Sequence, residues 1–242
     1  MWYAAMWGAI SGSAVFLGAL AALFFHVKKR IISDIMAFGT GILISAASYE
    51  LLEDSVHNGG LKATAIGFTL GALIFTILNY FVSKKGADQR KHSTQNTKGA
   101  GLAIFIGTVM DAIPESIMVG ASLLEKQSIS WLLVAAIFLS NIPEGLSSTV
   151  GLKNSGYQKR KIFLLWLSVL AISTFSAWGG FFFLSNAPDF LMAGIAAFAG
   201  GGIIAMITST MMPEAYEESG TVTGLIAAMG LLVSLIMDHL ST

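Results

Sequence analysis

The sequence predicts an all-α membrane protein with eight transmembrane helices. Three observations carry this reading. Of the 242 residues, 55% are hydrophobic, only 12% are charged, and the polar residues fall between apolar runs. A soluble domain of this length carries roughly twice that charge fraction, and the mean hydropathy is +0.73. The formal net charge is zero, so no bulk attraction to nucleic acid is expected. The chain has no cysteine, which excludes disulfide frameworks and thiolate metal sites. Its 26 glycines fit helices that approach closely in lipid.

A helix of about 20 apolar residues crosses the hydrocarbon core. The first span is Met1–Phe25. Its opening "MWYAAMW" lacks the basic region of a cleavable leader, and its cationic residues follow the apolar run, so it reads as a retained helix. The second span, Ile31–Leu52, begins after Lys28, Lys29 and Arg30. The third, Leu61–Ser83, ends at a polar stretch, 84–98, that reads as a mobile loop. The fourth and fifth are Gly99–Leu124 and Ile129–Leu152, separated by a short connection that holds Lys126. The sixth, Ile162–Leu184, follows Lys159, Arg160 and Lys161. The seventh and eighth are Phe190–Met212 and Val222–Leu240. The chain thus reads as one transmembrane domain over 1–242.

Positive charge sets the direction. Twelve of the fourteen Lys and Arg residues fall in loops on one side of an eight-span arrangement, and only Lys62 and Lys126 fall on the other. The cytoplasmic side of a membrane protein collects such charge. Both termini are therefore expected outside an inner or plasma membrane, with loop 84–98 in the cytoplasm. Trp2, Tyr3, Trp7 and Trp131 fit an outer aromatic belt.

Residues 37–55, "AFGTGILISAASYELLEDS", and 197–217, "AFAGGGIIAMITSTMMPEAYE", resemble each other. With Gly41 set on Gly202, Ile42 meets Ile203, Ser48 meets Ser209 and Glu53 meets Glu214. The two stretches lie in spans of opposite direction. Spans 1–3 and 6–8 then read as inverted repeats flanking spans 4 and 5, an organisation typical of transporters.

The chemistry concentrates in those two central spans. Three of the four prolines are followed by glutamate: Pro114-Glu115, Pro143-Glu144 and Pro213-Glu214. Proline lacks the amide hydrogen, so Pro114 releases the Met110 carbonyl and Pro143 that of Leu139, and a bend is expected at each. Asp111 and Glu115 share a helix face, as do Ser140, Asn141 and Glu144. An ionised carboxylate at mid-bilayer costs several kcal/mol, and these spans hold no Lys or Arg to offset it. Carboxylate, amide and hydroxyl oxygens at one depth suit a divalent cation.

The stretch "SNIPEGLSSTVGL" resembles the H-N-x-P-E-G signature of the ZIP (Zrt-/Irt-like) divalent metal transporters. "MDAIPESIMVG" is similar to the family's fourth-span signature, and "MMPEAYE" to its seventh-span pattern. The resemblance covers nearly the whole chain. It implies a ZIP-like fold, a metal path between spans 2, 4, 5 and 7, and a homodimer. Carried over by position, the family's fourth-span histidine falls on Asp111 and its asparagine on Ala112. The fifth-span ligands fall on Ser140, Asn141 and Glu144. The sixth-span acid of many members is missing from "WLSVLAISTFSAWGG", where Ser173 and Thr174 are the nearest polar residues. One metal is therefore expected, held by Asp111, Glu115, Asn141 and Glu144, with Ser140 or water completing the shell. The resemblance puts zinc first as cargo. An oxygen-rich donor set without histidine tilts toward Mn²⁺ or Fe²⁺, with Cd²⁺ also accommodated.

Glu50 and Glu53 are placed to attract a cation at the outer mouth. Glu214, Glu217 and Glu218 form an acidic patch at the inner mouth. His57 reads as a turn residue and His92 as an isolated loop histidine, neither with a metal role. An enzyme is not expected, since no H-E-x-x-H motif and no second central aspartate exist. The alternatives are a ZIP-like metal sensor without transport and a proton-coupled carrier of another solute. The latter would favour an aromatic or cationic pocket beside the carboxylates.

Overall fold

The computed structural model describes residues 2–84, 100–125 and 130–241, so the expected loop 84–98, apart from Lys84, lies outside the described residues, as do His92 and Lys126. Among the described residues the regular structure is all helical: α1 (Trp2–Phe24), α2 (Lys29–Ala46), α3 (Asp54–Lys84), α4 (Ala100–Glu125), α5 (Trp131–Asn154), α6 (Lys159–Leu184), α7 (Asp189–Met206), α8 (Met212–Ser219) and α9 (Val222–Ser241). Wider π-type turns, Ala47–Glu53 and Ile207–Met211, join α2 to α3 and α7 to α8 without leaving the helix.

Among the described residues, seven continuous helical segments are long and apolar enough to cross a membrane. One of them, Lys29–Lys84, runs 56 residues. Its backbone breaks at Gly60, with φ 78° and ψ 163°. That conformation lies outside the space open to residues with a Cβ. The helix continues through His57 up to this break, so the expected turn begins later than the sequence implied.

Local chemistry accounts for the other boundaries. The Ser130 hydroxyl accepts a hydrogen bond from the Leu133 amide at 3.2 Å and caps α5. Gly156 (φ 81°) precedes α6, and Gly220 (φ 64°) allows the reversal between α8 and α9. The seventh span is longer than expected. α8 carries the helix past Pro213 to Ser219, so Glu214, Glu217 and Glu218 stand on a helix rather than in a loop.

The helices pack as two groups. α1, α4, α5 and α6 form one, and α2, α3, α7, α8 and α9 the other, with α2 against α5 as the main join. Trp7 meets Trp131 edge-on at 4.8 Å near one end of α1 and α5, and Lys153 Nζ donates to the Ala22 carbonyl at 3.2 Å near the other. These two helices are therefore parallel.

Glycines let backbones touch at four crossings, and the crossings come in matching pairs. A Cβ on Gly41 would overlap the Ala227 carbonyl, and one on Gly230 the Phe38 carbonyl, where α2 crosses α9. Where α7 crosses α3, Gly201 meets the Phe68 carbonyl and Gly71 that of Phe198. Gly18 and Gly145 join α1 to α5 against the carbonyls of Ile142 and Val15. Gly180 and Gly120 join α6 to α4 against those of Ile117 and Ala177. Gly41 thus meets a carbonyl of α9 as Gly201 meets one of α3, whereas the sequence similarity pairs Gly41 with Gly202. The π-turns begin at Ala47 and Ile207, each six residues after those glycines.

Candidate metal centre

α4 and α5 run as continuous helices through Pro114 and Pro143. One turn of helix separates Asp111 from Glu115, and both side chains are buried. Ser140 and Asn141 are buried on α5, and Glu144 is half-buried one turn further on. Glu115 is 2% exposed. The carboxylates of Glu144 and Asp111 act on it electrostatically, and the Asn141 amide lies beside it. Neither Glu115 oxygen, however, has a hydrogen bond of good geometry. Buried polar atoms without partners are rare in native proteins, and this pair sits among other acids.

Ser140 is differently placed. Its hydroxyl donates to the Ile137 carbonyl at 3.0 Å, and its backbone packs on Gly39 of α2. Its oxygen keeps lone pairs, but the side chain is turned along its own helix. The sixth-span candidates are not brought to the centre. Ser173 fills the α1–α6 contact beside Gly12, and Thr174 donates to the Leu170 carbonyl at 2.8 Å. Among the described residues, no three His, Cys, Asp or Glu side chains close on one point as a bound metal requires.

Two clefts flank the acids along the seam between the helix groups. One, narrow, runs from Asp111 and Glu144 past Ser147 and Ser148 to Thr210 and Glu214. The Ser147 hydroxyl donates to a Glu214 carboxylate oxygen, which links α5 to α8 across this cleft. Glu214 therefore belongs to the same polar path as the central acids. Glu217 and Glu218 are exposed, and Glu218 lies 3.7 Å from Lys29 Nζ. Ser219 donates to Asp34 at 2.6 Å, tying the end of α8 to the start of α2.

The other cleft lies on the opposite flank of Asp111 and Glu115, between α3, α4 and α7. Glu50 is half-buried and Glu53 exposed in the wide turn 47–53, and neither lines either cleft.

Ser147 and Ser148 were not singled out in the sequence. Their signal was present: they follow Glu144 by three and four residues, on the same helix face. No protein-family model matches this sequence, and no curated protein matches it.

Proposed function

We propose that the chain transports divalent metal cations across the membrane into the cytoplasm, in the manner of the ZIP-like proteins its motifs resemble. The observation that carries this reading is Glu115. It is a buried carboxylate whose oxygens lack hydrogen bonds of good geometry, set beside Asp111, Asn141 and Glu144, with Asp111 and Glu144 lining a polar cleft toward Glu214. A divalent cation answers the charge that no neighbouring Lys or Arg offsets.

In this reading the break at Gly60 divides the segment 29–84 into two spans, giving eight. The reciprocal glycine crossings and the matched π-turns support inverted repeats of spans 1–3 and 6–8 around spans 4 and 5. The basic loops place both termini outside, and the family pattern adds a homodimer. The cation approaches past Glu50 and Glu53. It is held by Asp111, Glu115, Asn141 and Glu144 once side-chain rotation brings their oxygens together, with Ser140 or water completing the shell. It leaves past Ser147 and Glu214 toward Glu217 and Glu218. The Ser147–Glu214 hydrogen bond spans that exit, and Glu214 exchanges the serine for the departing ion. Zinc stands first as cargo, with Mn²⁺, Fe²⁺ and Cd²⁺ as competitors.

Counterflow of radioactive Zn²⁺ and Mn²⁺ in proteoliposomes tests the proposal. Transport predicts exchange that Glu115→Gln and Glu144→Gln abolish. Metal binding without counterflow identifies a sensor and overturns the transport reading. Absence of both binding and counterflow for all four metals overturns the metal reading as a whole.

A further inference from the structure

Glu115 and Asn141 do not line the narrow cleft toward Glu214, so most of its polar wall is not used by the metal centre. Asp111 and Glu144 stand at one end, followed by Ser147 and Ser148 of α5, with Thr210 and Glu214 beyond. No Lys, Arg or His lines it among the described residues. A helical hydroxyl commonly donates to a carbonyl three or four residues earlier. Ser140 and Thr210 do so, to Ile137 at 3.0 Å and Met206 at 2.6 Å. Ser148 does not. It is 7% exposed and faces the cleft, and its hydroxyl has no hydrogen-bond partner among the described residues. A buried polar group of that kind is rare in a native protein.

Size and chemistry together select the occupant. The open space is about 30 Å³, enough for one or two water-sized bodies and far too small for an organic solute. An anion would meet three acids. Water would fit the space but brings no charge to set against them. A divalent cation fits the space and takes carboxylate and hydroxyl oxygens, and the thioethers of Met36 and Met211 in the wall admit zinc as well as manganese. The acids are also suitably placed. Glu144 and Ser148 lie one turn apart on α5, and Ser147 on the same face holds the Glu214 carboxylate by its hydroxyl. Both carboxylates are therefore kept within about one helical turn of the Ser148 hydroxyl.

We propose that this cleft is a second divalent-cation site, held by Glu144, Ser148 and Glu214 with water completing the shell, beside the centre at Asp111, Glu115, Asn141 and Glu144. The inference rests on the metal reading given above and adds to it a stopping place between the centre and the inner mouth. Glu144 belongs to both sites. Two divalent ions that share a carboxylate repel each other, so the second binds more weakly than the first, and its arrival loosens the first.

The test counts Zn²⁺ bound per chain by equilibrium dialysis of the full chain in lipid nanodiscs. Two equivalents are expected, one tight and one weaker. Ser148→Ala, which removes the hydroxyl without adding bulk, weakens the second by about tenfold and leaves the first within about twofold. Glu214→Gln abolishes the second and spares the first. Glu115→Gln removes the tight equivalent and keeps the weak one. A single equivalent in the unaltered chain overturns the second site and leaves the central site and the transport reading standing. Two equivalents that persist at wild-type affinity in folded Ser148→Ala and Glu214→Gln proteins also overturn it, because the weak ion then lies elsewhere. No binding at all overturns the metal reading, and this inference with it.

Discussion

Replacing Glu115 by Met should stabilise the metal-free chain while removing its response to metal. Glu115 is 2% exposed, and neither carboxylate oxygen has a hydrogen bond of good geometry, the Asn141 amide lying beside it. A buried polar group without a partner costs about 1–3 kcal/mol. Hydrophobic side chains of similar volume that replace buried ionisable groups are often neutral to stabilising. Taking about 2 kcal/mol as the relief, a chain of this length gains about 4–8 °C in Tm. The unaltered chain recovers that deficit differently. A ligand at a hundred times its Kd stabilises by about 2.7 kcal/mol, or about 5–11 °C on the same scale. Glu115→Met should therefore melt above the unaltered chain in chelator, fail to shift with Zn²⁺ or Mn²⁺, and show no uptake. The assay is thermal unfolding of detergent-purified protein by intrinsic fluorescence, with and without metal. A lower Tm for Glu115→Met in chelator would refute the claim that this acid is retained at a cost to stability. A preserved metal shift would refute its role as a ligand.

Further outcomes are expected. Gly41→Ala and Gly201→Ala each force a Cβ onto a backbone carbonyl and should destabilise by about 1–3 kcal/mol. Gly194→Ala, with open space around it, should be neutral or stabilising by up to about 1 kcal/mol in the same melts. Ser147→Ala removes the link across the inner cleft and should raise initial metal efflux from loaded proteoliposomes, leaving equilibrium metal binding within about twofold. Glu214→Ala should slow release into the cytoplasm-facing compartment without weakening binding at the centre, and unchanged uptake would remove its assigned role. Lys29→Met loses a mostly solvent-exposed ion pair with Glu218 and should change stability by less than about 1 kcal/mol.

The sequence disclosed the helices well, because each is an apolar run bounded by charge or by glycine. It disclosed Asp111, Glu115, Asn141 and Glu144 as a group, because the one-turn spacing puts them on facing stripes of neighbouring spans. Its internal similarity pairs Gly41 with Gly202, whereas the glycine that meets a backbone carbonyl as Gly41 does is Gly201. The stretch 199–202 offers three successive glycines, and only packing distinguishes Gly201, pressed on the Phe68 carbonyl, from Gly202, which faces open space. The Ser147–Glu214 link joins residues 67 apart in the chain, and no local pattern announces it. Ser173 was polar and in the expected span, yet its helix turns it toward α1. Spacing along one helix reveals which side chains share a stripe; the neighbour that stripe meets depends on crossings set by glycines on other helices.

Those crossings have a mechanical consequence. Where main chain rests on main chain, there is no side chain that can swing aside, so helices joined at Gly18 and Gly145, or at Gly71 and Gly201, cannot slide past each other without carbonyl collision. The two clefts are lined by a mixture instead, with Met36, Met110, Met206 and Met211 beside isoleucine, phenylalanine, serine and glycine. The acid-bearing helices α4 and α5 are each locked in this way to a helix of their own group, α6 and α1.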